Sequence, residues 1–319
     1  LLDIALLGCG GSMPMPNRFL TSLLIKYKGR NILIDCGEGT QVSMKILKWG
    51  FKSIDIICIT HRHGDHILGL PGLLSTMGNS GRTDPVTIIG PKGIESIIEG
   101  LKLAVPNIPF HLNIIEVSKG SLAIETTPRG LNLQKLNSRN YSNELIISML
   151  ELEHSVPCIG YNFYVLRKPK FNVDEAISKG IPKELWKELQ SGKMVMDGER
   201  RFEPDMVLGG KRKGIKLSYI MDTRPMEAIV KFIKDSDLFI CEGTYGSDKE
   251  IDRAKKYKHM TFREAAELAY KGEVEELLLA HFGPAMADPE LYINNARAIF
   301  PNTVIGYDRF IKSISFGSD

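Results

Sequence analysis

Apolar residues along the chain fall into two recurring patterns. Short runs rich in branched residues, such as LLDIALLG, SLLIKY, RNILID, IDIICI and ELLLA, are bounded by glycine, lysine or acidic residues. That pattern predicts strands buried in a sheet. Between them, GIESIIEGLKLA places Ile94, Ile97, Ile98 and Leu101 at helical spacing. TFREAAELAYKG opens with a capping box, Thr261 with Glu264 three residues on, and closes at Gly272. SLLIKY and RNILID, joined by Lys28-Gly29, predict an early hairpin. The first run ends in the Gly-rich turn GCGGS; with an early acid and no basic leader it does not read as a signal peptide. Strand-like and helical stretches alternate, which predicts an α/β class. No repeat at a solenoid period and no low-complexity tract interrupts them.

Composition narrows the picture modestly. At 319 residues and 43% hydrophobic, the chain can bury a large core as one domain or two. Its 41 basic and 38 acidic side chains leave a net charge of +3, which by itself indicates neither nucleic acid nor membrane as partner. No apolar run reaches the roughly 18–20 residues of a spanning helix. Cys9, Cys36, Cys58, Cys158 and Cys241 are odd in number, dispersed and without a CxxC. That usage fits a reducing, cytoplasmic setting. Residues 166–213 differ from the rest: apolar strands thin out, and 12 basic side chains stand against 8 acidic ones. This stretch reads as an insertion projecting from the body. Composition alone favours a solvated helix pair there over a binding role.

The polar residues that follow the strand-like runs carry the chemistry. IDIICIT leads into His61, His63, Asp65 and His66; LIISMLELE into His154; LSYIM into Asp222; DLFI into Cys241 and Glu242; and ELLLA into His281. In open α/β sheets the carboxyl ends of strands are where sites assemble. His61 and His63, two apart, share a direction in an extended segment. Gly64 is expected to permit a sharp turn, so that Asp65 and His66 face a second point. One short motif then serves two neighbouring metals. Imidazole and carboxylate suit zinc, with manganese or iron compatible. Taken singly, His154 and His281 would be ordinary core or surface histidines; their strand-end positions change that. His111, in IPFHLN, has no such context and reads as structural.

With THRHGDH, a distant His, Asp and His, and the continuation ILGLPGLL, the sequence resembles the metallo-β-lactamase superfamily. Within it, the chain is most similar to the ribonuclease Z family of tRNA 3′-processing endonucleases. GGSMPMPNR, IDCGEGTQ (34–41), HSVPCIGY (154–161), LSYIMDTRP (217–225) and LLLAHFGP (277–284) extend that resemblance over essentially the whole chain. It implies an αββα sandwich of two face-to-face sheets with helices outside, as a single domain over 1–319. It implies two zinc ions per subunit, with manganese possible. His61, His63 and His154 would hold one; Asp65, His66 and His281 the other; Asp222 would bridge them. Asp35 would be a buried acid bracing the ligand loops. The 166–213 segment would be an arm gripping precursor tRNA, with Lys168, Lys170, Lys179, Lys183 and Lys187 as candidate contacts. The family's HEAT stretch stands here as Cys241-Glu242-Gly243-Thr244, its HST turn as His259-Met260-Thr261, and the arm's Gly-Pro-rich tip as KGIPKELWKELQSGK.

The resemblance further implies phosphodiester hydrolysis with Asp65 accepting a proton. His259, oriented by Glu242, is the candidate donor to the leaving 3′ oxygen, against a bland reading in which it merely caps the next helix. A cytoplasmic homodimer with no membrane contact is implied as well. The competing readings are a divergent phosphodiesterase or other hydrolase of small molecules, and an RNA-binding protein whose metals are structural. A Rossmann dinucleotide enzyme is weaker, since GCGGS lacks G-x-G-x-x-G.

Overall fold

The computed structural model of the chain describes residues 1–136, 145–210 and 212–317. Lys211, one of the basic residues counted in the arm, lies outside them, as do the last two residues of the 1–319 span. Among the described residues, seven strands form one sheet in the order Phe310–Ile314, Leu2–Gly8, Ser22–Tyr27, Arg30–Ile34, Ile54–Cys58, Val86–Gly90 and Leu112–Glu116. Eight form a second, in the order Thr303–Ile305, Leu277–Ala280, Leu238–Glu242, Arg212–Ile220, Cys158–Arg167, Leu145–Leu152, Gly120–Thr127 and Gly130–Lys135. The expected early hairpin is present, with Lys28 (φ 49°) and Gly29 (φ 78°) both left-handed, the conformation a two-residue hairpin turn requires.

Side-chain alternation shows why the first sheet reads as continuous apolar runs rather than alternating ones. Ile4, Leu6, Ile25, Ile32, Ile34 and Ile56 pack against Ile147, Tyr161, Phe163, Leu217 and Tyr219 of the second sheet. Their neighbours Ala5, Leu7, Leu24, Leu33 and Ile57 pack instead on Met44, Leu70, Leu73, Met77, Ile94 and Ile98. Those belong to the outer helices Thr40–Leu47, Leu70–Asn79 and Ile94–Lys102. Helices Glu227–Ile233 and Phe262–Lys271 cover the other face of the second sheet. The result is the helix–sheet–sheet–helix order expected, with both sheets buried on two faces. The capping box of Thr261 and Glu264 forms as the sequence predicts. No helix of the described residues is long and apolar enough to cross a membrane.

Residues between Arg167 and Arg212 leave and return at paired positions of two adjacent antiparallel strands. They are more ordered than a solvated helix pair. Short helices and a ribbon, Val195–Asp197 with Arg200–Phe202, enclose a small core of Ala176, Ile181, Leu189, Val195, Phe202 and Val207. Trp186 packs beside that core.

A buried ion cluster ties the two sheets together. Asp55, 3% exposed, accepts hydrogen bonds from Arg30 Nε (2.6 Å), Arg82 Nη1 (2.8 Å) and the Leu131 backbone N–H (2.9 Å). Arg82 is itself 1% exposed. Removing one partner of such a cluster strands a buried charge. Asp55→Ala is expected to lower unfolding free energy by about 3–5 kcal/mol in urea titrations; a loss below about 1 kcal/mol would show that the cluster is not structural.

Candidate metal centre

Parallel strands deliver the site. Arg30–Ile34 and Ile54–Cys58 in the first sheet are parallel, as are Arg212–Ile220, Leu238–Glu242 and Leu277–Ala280 in the second. Their carboxyl ends carry Asp35, the HRHGDH turn, Asp222, Glu242 and His281. Asp35, Asp222 and His281 each stand just past a strand in the left-handed region, at φ 56°, 49° and 57°. A non-glycine residue there is uncommon and is held by its surroundings. At Gly64 the chain changes direction without the left-handed φ that glycine permits. The residue opens a short helix, Gly64–Ile67, and the helix start itself redirects the chain. Of the pair after DLFI, Glu242 reaches the site, whereas Cys241 is buried in the core beneath it. His111 is exposed, apart from the cluster, as expected.

The seven expected donors converge in two groups. Ligand-type atoms of His61, His63, His154 and Asp222 lie within 4.8 Å of one another, as do those of Asp65, His66, Asp222 and His281. Asp222 belongs to both. Its Oδ2 is 3.1 Å from His61 Nε2 and 2.8 Å from His66 Nε2. In the first group His63 Nδ1 lies 2.9 Å from His61 Nε2 and 3.2 Å from His154 Nε2. In the second, His66 Nε2 and His281 Nε2 are 3.2 Å apart. Asp65 Oδ2 is 3.6 and 3.4 Å from those two nitrogens. Neutral imidazoles aiming ring nitrogens at each other cannot all be satisfied by protons. Asp222 Oδ1 is buried with no hydrogen-bond partner, although His281 Nε2 stands 3.0 Å away. Crowded nitrogens, an orphaned carboxylate oxygen and the His/Asp donor chemistry fit divalent cations between them.

The electrostatics of the two groups differ. Burial pushes the His61 imidazole down to about 3 and lowers His63 and His154 too. Burial also opposes charge on His66 and His281, but the Asp222 carboxylate, with Asp65 close by, outweighs it. His66 ends well above its ordinary value, and His281 at about 10. Burial would raise Asp65 and Asp222, yet the surrounding imidazoles hold both below the usual carboxylate range.

A second layer orients these groups. Asp35, fully buried, takes the Thr60 N–H on Oδ1 (2.8 Å) and faces His66 Nδ1 with Oδ2 (2.8 Å). Burial raises its carboxyl pKa. Glu242 accepts from the Thr223 and Met260 N–H groups (2.7 and 3.0 Å) and from Thr244 Oγ1 (2.7 Å). His259 Nδ1 lies 3.2 Å from Glu242 Oε2, and Glu242 overcomes burial to hold that imidazole above its ordinary value. Capping of the following helix is done by Thr261 and Glu264, not by His259.

Several contributors were not singled out from sequence. The Ser12 N–H donates to Asp65 Oδ2 at 2.6 Å. Gly11 lies so close under the His281 ring that a Cβ would sit 2.5 Å from it. Thr244 Oγ1 stands 3.1 Å from His281 Nδ1. Arg224 binds both the Glu264 carboxylate and the His259 carbonyl, so one helix cap also fixes the His259 loop. The motifs GGSMP, CEGT and DTRP were the available signals. The five arm lysines are all exposed and apart from this centre. Lys179 pairs with Glu175, and Lys183 lies over the Trp186 ring.

A family model described as anti-Pycsar protein Apyc1 matches residues 2–104, less than half of the chain. Ribonuclease Z of Alkaliphilus oremlandii is 55% identical over 316 residues, covering 99% of each chain. Ribonuclease Z of Clostridium beijerinckii is 56% identical over 321 residues, covering 100% of each. Among solved structures, human tRNase Z, short form, superposes with a TM-score of 0.66 at 22% identity, over 98% of this chain and 100% of that one. That likeness bears on the fold, which is the metallo-β-lactamase sandwich. With identity above one half from end to end, the chain belongs to the ribonuclease Z family.

Proposed function

We propose that this protein is a metal-dependent endoribonuclease that removes the 3′ trailer from precursor tRNA by hydrolysing one phosphodiester bond. The observation that carries the reading is the complete seven-residue donor set standing beside the His259–Glu242 pair, in a chain similar throughout its length to ribonuclease Z. His61, His63 and His154 would hold one zinc ion and Asp65, His66 and His281 another, with Asp222 shared; manganese suits the same atoms. Such cations supply hydroxide near neutral pH and offset phosphate charge. The protein's own groups do the rest. Asp65, fixed by the Ser12 N–H, accepts the proton lost by the attacking water. His259, whose protonated form Glu242 favours, delivers a proton to the departing O3′ from Nε2, because Nδ1 is turned to the carboxylate.

The chain reads as a single domain over 1–319 with 166–213 as its tRNA-gripping arm, using Lys168, Lys170, Lys179, Lys183 and Lys187 on substrate phosphates. Strand Arg212–Ile220 separates the arm's root from Asp222 by its whole length, about 30 Å. That distance suits a homodimer in which the arm serves RNA held by the partner. A cytoplasmic location follows from the substrate.

The deciding assay incubates purified protein with precursor tRNA and zinc or manganese. Cleavage to a tRNA 3′-hydroxyl is expected, lost on chelation and restored by metal. Hydrolysis of a small phosphodiester without any cutting of the precursor would contradict the proposal. His259→Ala should lower kcat by about 10²–10⁴-fold while leaving KM nearly unchanged; an unaltered kcat would remove His259 from the chemistry.

Cation uptake should also release protons. His281, at about 10, carries a proton at pH 7 before a cation binds, and that proton must leave for Nε2 to ligate. His61, at about 3, is already neutral. Binding at the His66–His281 half should therefore weaken first as pH falls. Calorimetry in buffers of different ionisation enthalpy should show net proton release at pH 7; binding heats that ignore the buffer would oppose this.

A further inference from the structure

The cleft around the donor cluster opens sideways into a cavity of about 650 Å³. Ser12, Tyr257 and His259 line both. The walls of the cavity beyond them include Tyr245, Tyr292, Lys249 and Arg253. None of these has a role in the hydrolysis derived above. Tyr257 ends helix Ile251–Tyr257 with its residue surface 49% exposed, and the Lys256 ammonium lies 5.2 Å from its ring centre. The Arg253 guanidinium lies 5.3 Å from the centre of Tyr245 while also meeting Glu250 at 3.0 Å. An exposed tyrosine on a helix surface is ordinary. Here it stands with half-buried Tyr292 and buried Tyr245, two of the three rings with cations beside them, around a cavity that adjoins the reacting centre, which matches what a nucleobase and its phosphates need: a flat π surface and nearby positive charge.

The direction of the chemistry says which nucleoside belongs there. Hydrolysis joins the water oxygen to phosphorus and breaks the P–O3′ bond, and O3′ takes the proton from His259. That oxygen belongs to the nucleotide before the scissile phosphate. His259 is a wall of both the donor cleft and the tyrosine cavity, so a nucleoside with its phosphate at the donors and its O3′ at His259 can place its base in that space. The first trailer nucleoside hangs from the opposite side of the phosphate. We propose that this cavity receives the last nucleoside of the tRNA body, its base stacked on Tyr257 with Arg253 and Lys249 supplying positive charge. The assignment rests on the reading of the site as a tRNA 3′ nuclease with His259 as proton donor.

Precursor tRNAs lacking one base, cut by wild type and by Tyr257→Ala, test it. Deleting the base of the last tRNA nucleotide should lower wild-type kcat/KM by about 5- to 150-fold, whereas deleting the first trailer base should change it little. Tyr257→Ala should lose a similar factor on intact precursor and nothing more on the RNA lacking the tRNA-side base. A larger penalty on the trailer side, or losses that multiply in Tyr257→Ala, would overturn the cavity assignment while leaving the nuclease reading intact. The two wild-type comparisons decide the question even if the variant folds poorly. Wild type that leaves intact precursor uncut overturns the tRNA reading, and this assignment with it.

Discussion

Asp222 is the constraint around which the site is built. Its Oδ2 lies within about 3 Å of ring nitrogens from His61 and His66, and its Oδ1 faces His281 and, at 3.5 Å, His259. Histidines from the HRHGDH turn, from the loop after His281's strand and from the turn before a helix therefore depend on one carboxylate. That carboxylate follows a strand in a left-handed conformation, with one oxygen buried and unbonded. Attraction between Asp222 and the imidazoles opposes two costs in such a cluster: ring nitrogens crowd, and one buried carboxylate oxygen lacks a hydrogen-bond partner. The surrounding fold must impose it, as is common where a structure is preorganised for a ligand.

The imposing structure is rigid and connected. Strands within the two sheets, parallel for every ligand loop but that of His154, fix the origins of those loops, and ladder bonds leave them little freedom. Asp35 then sets the tautomer and direction of His66 through Nδ1, as partners beyond the ligands commonly do at metal sites. Glu242 collects two backbone N–H groups, a threonine hydroxyl and His259 on one buried carboxylate. Arg224 links the His259 carbonyl to Glu264, which also closes the capping box. Local helix capping and site geometry thus share a residue.

Much of this was legible in the chain, for a physical reason. Metal donors are few in type and rare in number, so three histidines and an aspartate after IDIICI stand out, and strand ends carry the other three donors. The hairpin at Lys28-Gly29 and the capping box at Thr261 were legible because each depends on neighbours in sequence. Contacts between distant segments were not. Ser12 meets Asp65 through a backbone N–H, which any residue but proline supplies. Thr244 reaches His281 with a hydroxyl that serves equally well on any surface. Gly64 redirects the chain by beginning a helix and not through a left-handed φ, a distinction its residue type alone does not make. The arm's small core draws single residues from Ala176 to Val207, too sparse to register as periodicity.

These seven side chains would form two cation sites joined at Asp222. Elemental analysis of zinc-saturated, desalted protein, combined with anomalous diffraction at the metal edge, tests it most directly. Two cations per chain are expected, one beside His61, His63 and His154, the other beside Asp65, His66 and His281, with Asp222 contacting both. A folded protein that retains no cation, or one that carries its metal away from Asp222, would contradict it.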